Sequence, residues 1–239
     1  MTGFDLLVAA VAVVAGAIAS VAGFGIGSVL TPLLATRFGM KVAVAAVSIP
    51  HLIATAVRFW MLRRDLDRRV LVTFGITSAA GGLAGALLHA LIGGRVLTII
   101  LALALVFTGG IGVAGITLRF GRRMAPVAGF VSGLLGGLVG NQGGIRTGAM
   151  LGFDVPKEAF VATSTAVGLV VDGARMPVYV WQEGTALLRM QPTIVAMIIG
   201  VVAGTFLGRL ALGRIPEPIF KRVVSALVLI LGIALFFQR

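Results

Sequence analysis

Long apolar stretches alternate with short polar turns along the chain. Val42–Leu62, Val70–Ile92, Val96–Leu118 and Ala159–Trp181 each run 21 to 23 residues, and Gln191–Gly208 and Phe220–Gln238 run 18 and 19. A helix needs about 20 mostly apolar residues to cross the hydrocarbon core of a bilayer. These six stretches therefore predict six membrane-crossing helices. Two further apolar stretches are broken by glycine clusters, Gly23-Phe24-Gly25-Ile26-Gly27 and Gly140-Asn141-Gln142-Gly143-Gly144. Beyond the first cluster, Ser28–Phe38 is 11 residues long, about 16 Å as a helix and only half a bilayer. The expected fold class is an all-α polytopic membrane protein.

Composition points the same way. The chain is 59% hydrophobic and 12% charged, with a mean hydropathy of +1.10. A soluble domain averages roughly 25% charged residues, so a water-exposed surface cannot be built from this sequence. At 239 residues the chain is too short for two ordinary domains, and one integrated membrane domain is expected. The net charge of +12 would suggest nucleic acid in a soluble protein. Here most arginines stand in short turns between apolar stretches, the usual topogenic pattern, and no nucleic-acid partner is expected. The absence of cysteine removes disulfides, thiol catalysis and thiolate metal sites. The first apolar run begins at Phe4 without a basic region before it, which makes a poor secretory signal.

The sequence also repeats. The second glycine cluster lies 117 positions after the first, Leu34 falls on Leu151 and Arg58 on Arg175, while Lys41 meets Lys157 at an offset of 116, implying a short gap. Two halves follow, 1–120 and 121–239. If each glycine-broken segment crosses once, each half has four crossings and both face the same way. If it is a re-entrant hairpin, each half has three crossings and the halves are inverted. The hairpin puts Arg63, Arg64, Arg68, Arg69, Arg119, Arg122, Arg123, Lys157, Arg209, Arg214, Lys221 and Arg222 on the cytoplasmic side, and Arg37, Lys41, Arg95, Arg189 and Arg239 outside. The single crossing divides the basic residues almost evenly. The positive-inside rule prefers the hairpin, and inverted repeats with discontinuous helices are a common transporter plan with the site near the midplane. Eight simple spans remain the alternative.

Irregular backbone within a membrane is tolerated only where protein buries it or water reaches it. Free N–H groups at the start of the helix after each break suit an anion. Gly25, Gly27 and Ser28 are the candidates in the first half; Asn141, Gln142, Gly143, Gly144 and Arg146 are those in the second. The stripes Gly129/Gly133/Gly137 and Gly200/Gly204/Gly208 read instead as helix packing. Asp172 and Arg175 share a helix face deep in the sixth stretch and can pair. Ionisable residues within spans mark substrate or proton pathways. Thr163, Ser164 and Thr165, two turns earlier, are candidate substrate contacts or self-satisfied hydroxyls. In the first half Ser48, Pro50 and His51 occupy the matching region. Asp172 and His51 are the candidates for proton or ion coupling. His89 reads as structural, and Arg58, close to Arg63 and Arg64, as a snorkelling side chain. No hydrolase arrangement, metal-ligand spacing or Walker motif is present, so neither an enzyme nor a cofactor is expected.

The stretch Gly129–Trp181 resembles the TauE/SafE sulfite exporter family. The resemblance lies in Gly140–Arg146, in Lys157–Ser164, and in Asp172 with Arg175, Pro177 and Tyr179. The first-half run Gly23–Leu34 looks like the family's glycine-rich N-terminal element, with Ile26 at a position where glycine is expected. The resemblance implies secondary transport of sulfite, thiosulfate, sulfoacetate or another organosulfonate across a prokaryotic cytoplasmic (inner) membrane. The implied partners are a small anion, the lipid bilayer and a proton or sodium as coupling ion, and a homodimer is compatible with it. An anion channel and a membrane scaffold subunit of an enzyme complex are the competing readings. A cation carrier is disfavoured because Asp172 is the one acid well inside a span.

Overall fold

The computed structural model describes residues 2–237, except Gln142, Asp154 and residues 212–215; at Gly144, Lys157, Arg209, Ala211 and Glu217 it describes the backbone alone. The described residues are helical nearly throughout and contain no strand. The helices are α1 (Gly3–Ala22), α2 (Ile26–Phe38), α3 (Met40–Leu62), α4 (Arg68–Val70), α5 (Ile76–Leu91), α6 (Gly94–Val113), α7 (Ala125–Val139), α8 (Gly143–Met150), α9 (Lys157–Arg189), α10 (Gln191–Ala211) and α11 (Glu217–Phe236). A π-helical turn, Leu71–Gly75, joins α4 to α5 into one continuous rod.

Among the described residues, six helices are long and apolar enough to cross a membrane: Gly3–Ala22, Met40–Asp65, Arg68–Leu91, Gly94–Val113, Gln191–Gly208 and Pro218–Phe236. Two differences from the sequence reading have simple causes. The run before the first glycine cluster forms a helix of 20 residues, about 30 Å and so as long as the hydrocarbon core is thick. The predicted span Ala159–Trp181 lies inside a helix of 33 residues that continues through Pro177 to Arg189. Asp172 and Arg175, midway along it, make α9 more polar than the six.

The hydrophobic effect does not drive helices together in lipid, so close backbone packing must. Glycine supplies it along two seams. Gly200, Gly204 and Gly208 of α10 meet the backbone of α1 at Ala9, Val13 and Ala17, and Gly16 of α1 meets Val201 in return. Gly133 and Gly137 of α7 meet α5 at Ser78 and Gly82, and Gly81 and Gly85 of α5 meet Phe130 and Leu134. Every one of these glycines leaves less room than a Cβ needs. The same exchange runs through the bundle: α1 packs on α10 and α7 on α5, α3 on α10 and α9 on α5, α6 on α11, and α3 on α9. Leu6, Leu87, Leu103, Ile199 and Ile230 stand outside, exposed as lipid-facing residues would be.

Helix boundaries keep the offset seen in the sequence. Ala22 and Val139 end α1 and α7, Ile26 and Gly143 start α2 and α8, and Met40 and Lys157 start α3 and α9, each pair 117 positions apart. No gap is needed at Lys41 and Lys157, contrary to the alignment of those two lysines. The reason is that the helix starts, and not the basic residues near them, hold corresponding places.

Candidate functional site where two helix breaks meet

Each broken segment ends its first helix with a glycine in the left-handed region, Gly23 at φ 77° and Gly140 at φ 74°. Both donate their N–H back to the helix, to Ala19 and Gly136 respectively. A left-handed residue after a helix is most easily glycine because it has no Cβ to clash. The next helices begin at Ile26 (α2) and Gly143 (α8).

The two breaks touch. A Cβ on Gly27 would run into the carbonyl oxygen of Gly140, and one on Gly143 would lie 2.5 Å from the Cβ of Phe24. Glycine at 27 and 143 is thus a steric requirement of the junction. Each break brings one helix C-terminus and one helix N-terminus to this point. Their partial charges, about half a unit each and of opposite sign, largely cancel. The side chains therefore set the electrostatics.

Those side chains come mainly from α3 and α9. On α9, Arg175 donates through Nε and Nη2 to Asp172 Oδ1, at 3.1 and 2.8 Å. The other carboxylate oxygen lies 2.6 Å from His51 Nδ1 on α3, which donates when it carries the ring proton. Asp172 is 0% exposed and Arg175 1%. Arg175 also donates through Nη1 to the carbonyl of Gly136. Tyr179 donates to Gly137, and His89 Nδ1 donates to Leu138 at 2.7 Å. A helix leaves its last carbonyls without intrahelical donors; Tyr179 and His89 supply donors to Gly137 and Leu138, and Arg175 adds a second to Gly136, which already accepts from Gly140.

The first half has its own version. Arg58 donates through Nη1 to Ala19 at 2.5 Å and through Nη2 to Thr55 Oγ1 at 3.2 Å. It does not snorkel, as the sequence suggested. The Ala19 carbonyl already accepts from the Gly23 N–H, and the guanidinium gives it a second donor inside the bundle.

Arg146, on α8, reaches into the same place. It is 4% exposed and donates through Nη2 to Gly23 at 3.4 Å. Its Nη1 lies so close to Gly168 of α9 that a Cβ there would be 2.8 Å away, with Thr55 3.5 Å from the same point. Arg146 Nε and Nη1, Arg58 Nε, Asn141 Nδ2 and Thr31 Oγ1 are buried with no hydrogen-bond partner. Buried polar groups are nearly always paired, and these five unpaired atoms stand together at the junction.

The remaining candidates divide. Gly25 stands at φ 131° in the first break, and Ser28 is buried behind it on α2. Ser164 is buried on α9. Thr163 accepts from the backbone N–H of Asp67 at 2.9 Å, and Thr165 donates to Val161; both hydroxyls are engaged with backbone. Gln142 lies outside the described residues, and Gly143 and Gly144 open α8. The sequence reading missed Arg58, Thr31 and Thr55. The signal for Arg58 was its place 117 residues before Arg175, which the nearby Arg63 and Arg64 outweighed.

Compared with curated proteins and with solved structures, the chain matches none of either. The sequence model described as sulfite exporter TauE/SafE matches residues 8–235, nearly the whole length. With six helices able to cross a bilayer and a buried cationic junction between two broken segments, the chain belongs to the sulfite exporter TauE/SafE family, a family of membrane transporters of sulfur-containing anions.

Proposed function

We propose that this protein is a secondary transporter that carries sulfite, thiosulfate, sulfoacetate or another organosulfonate across the prokaryotic cytoplasmic membrane by ion-coupled alternating access. The observation that carries the reading is Arg146: a guanidinium 4% exposed, with Nε and Nη1 unpartnered, where the two breaks meet. A fixed buried cation with free donors suits an oxyanion. Asn141 offers a further free donor.

The exchanged helix pairs and the constant offset of 117 support two repeats, 1–120 and 121–239, and the distribution of Lys and Arg supports their inverted arrangement. In such an arrangement the site lies near the midplane, and rocking of one repeat against the other exposes it alternately. A proton is the better candidate than sodium for the coupling ion. Both oxygens of Asp172 are engaged by Arg175 and His51, and the contact with His51 offers a path for a proton between imidazole and carboxylate.

The test is a thermal-shift screen of purified protein against sulfite, thiosulfate, sulfoacetate, taurine and simple carboxylates. A sulfur anion should stabilise the wild type and lose that effect in Arg146→Ala. Equal stabilisation of both proteins would remove Arg146 from the site. Uptake against a gradient in proteoliposomes separates a carrier from a channel, and absence of any anion flux would favour a scaffold subunit.

A further inference from the structure

The two halves place a guanidinium at the same point and give it different partners. Arg175 binds Asp172, three residues before it on α9, and Arg58 binds Thr55, three residues before it on α3. Thr55 precedes Asp172 by 117 positions, as Arg58 precedes Arg175 and Ala19 precedes Gly136. Each arginine thus grips the end of the broken helix of its own half and turns to the same neighbour position. In the second half that neighbour is a carboxylate; in the first it is a neutral hydroxyl. Asp5 is the other buried acid among the described residues, and it is bound to Thr193 and Thr2 at the far end of α1.

The junction therefore holds three guanidiniums, Arg58, Arg146 and Arg175, against one carboxylate, with two positive charges in excess when His51 is neutral. The ends of the four broken helices cancel among themselves. We infer that Arg58 is a specificity-determining residue of the anion site, its charge left open by Thr55, and that the site selects doubly charged anions over singly charged ones. This inference rests on the anion-transport reading. Uncompensated charge in a buried place is costly. A dianion brings the junction to neutrality, whereas a monoanion leaves one guanidinium without a counter-charge. The free atoms fit the same ligand: Arg58 Nε, Arg146 Nε and Nη1, and Asn141 Nδ2 are donors only, enough to bind several oxygens of one oxyanion and unable to receive a proton from a protonated one.

The experiment is a thermal-shift titration of the purified full chain with thiosulfate as the divalent probe and methanesulfonate as the monovalent one. Two variants each remove one unit of positive charge by opposite chemistry. Thr55→Asp gives Arg58 the partner that Arg175 already has, and Arg58→Gln removes the guanidinium while keeping a donor for Ala19. Wild type should prefer thiosulfate by tenfold or more. Each variant should cut that preference by about tenfold or more, as expected for one unit charge acting over several ångströms at an effective permittivity of about 20. A size or packing effect would weaken both anions alike and would differ between the two variants. The inference is overturned if either variant, still showing its own cooperative melting transition, keeps the wild-type preference, or if both anions weaken equally. Should one variant fail to fold, the other decides. If neither anion binds the wild type, the transport reading falls as well; if both bind and the preference does not move, only the role of Arg58 falls.

Discussion

Asp172 offers the sharpest test of how the junction is held. Its carboxylate receives three contacts, at 3.1 and 2.8 Å from Arg175 and 2.6 Å from His51. Replacing it with alanine leaves a guanidinium that is 1% exposed without its counter-charge. Removing one partner of a buried pair costs about 3–5 kcal/mol. Asparagine keeps an acceptor for Arg175 and loses the charge. Hydrogen bonds to charged groups contribute about 1.5–3 kcal/mol and neutral ones about 0.5–1.5, so Asp172→Asn should cost less than alanine by about 1–2 kcal/mol. The double variant Asp172→Ala with Arg175→Met should recover much of the loss, since an apolar replacement for a buried pair is often neutral. It should fall short of wild type by roughly the one hydrogen bond that Arg175 gives Gly136. Denaturant or thermal unfolding in one detergent, read for the four proteins side by side, measures this order. If Asp172→Ala is as stable as wild type, or the double variant no better than the single, the pair does not hold the junction and the account of it is wrong.

Further predictions follow from the same geometry. An imposed pH gradient should drive anion uptake into proteoliposomes with wild type and not with Asp172→Asn; gradient-driven uptake that survives this change would exclude Asp172 as the coupling group. Gly27→Ala forces a methyl group against the Gly140 carbonyl and should destabilise by about 1–3 kcal/mol or more. Gly173→Ala, in the open on α9, should stabilise by about 0.5–1 kcal/mol; the melting temperatures of the two should move in opposite directions. Tyr179→Phe removes the donor to Gly137 and should lower stability by about 0.5–1.5 kcal/mol while anion affinity holds within twofold, which a binding titration checks.

Much of the bundle was legible because lipid leaves few solutions. Apolar run length gave α3, α10 and α11 to within a few residues, and glycine spacing marked packing faces on α7 and α10 without naming the helices they meet. The membrane itself sets those rules, and they act on local sequence. The site was legible only in its polar residues. Asn141, Arg146, Asp172 and Arg175 stand out against apolar neighbours, and the pairing of Asp172 with Arg175 follows from helical spacing alone. What could not be read were partners set by three-dimensional placement. His51 meets Asp172 from a position 121 residues away, and Arg58 turns to Ala19 because α1 happens to end beside it. Thr163 and Thr165 look like ligands in sequence, yet backbone groups claim both hydroxyls. A hydroxyl has no signature that tells a substrate contact from a turn.

The exchanged seams carry a consequence for how the chain comes to exist. The groove on α1 that receives Gly200, Gly204 and Gly208 is made among the first 22 residues, but α10 begins at residue 191. At about 5–20 residues per second of synthesis, α1 waits roughly ten to thirty seconds in the bilayer for its partner. During that interval its carbonyls are satisfied within the helix, and lipid chains cover the surface that Gly204 will later displace. Burial of Asp172 and Arg175 must wait for the same assembly, so the helix carrying them enters the membrane with its charges already paired or still hydrated. Tight packing in this protein is a late event, and a truncation that removes α10 should strand α1 with an unfilled groove and expose the chain to membrane quality-control proteolysis, which a pulse-chase comparison with the full chain would measure.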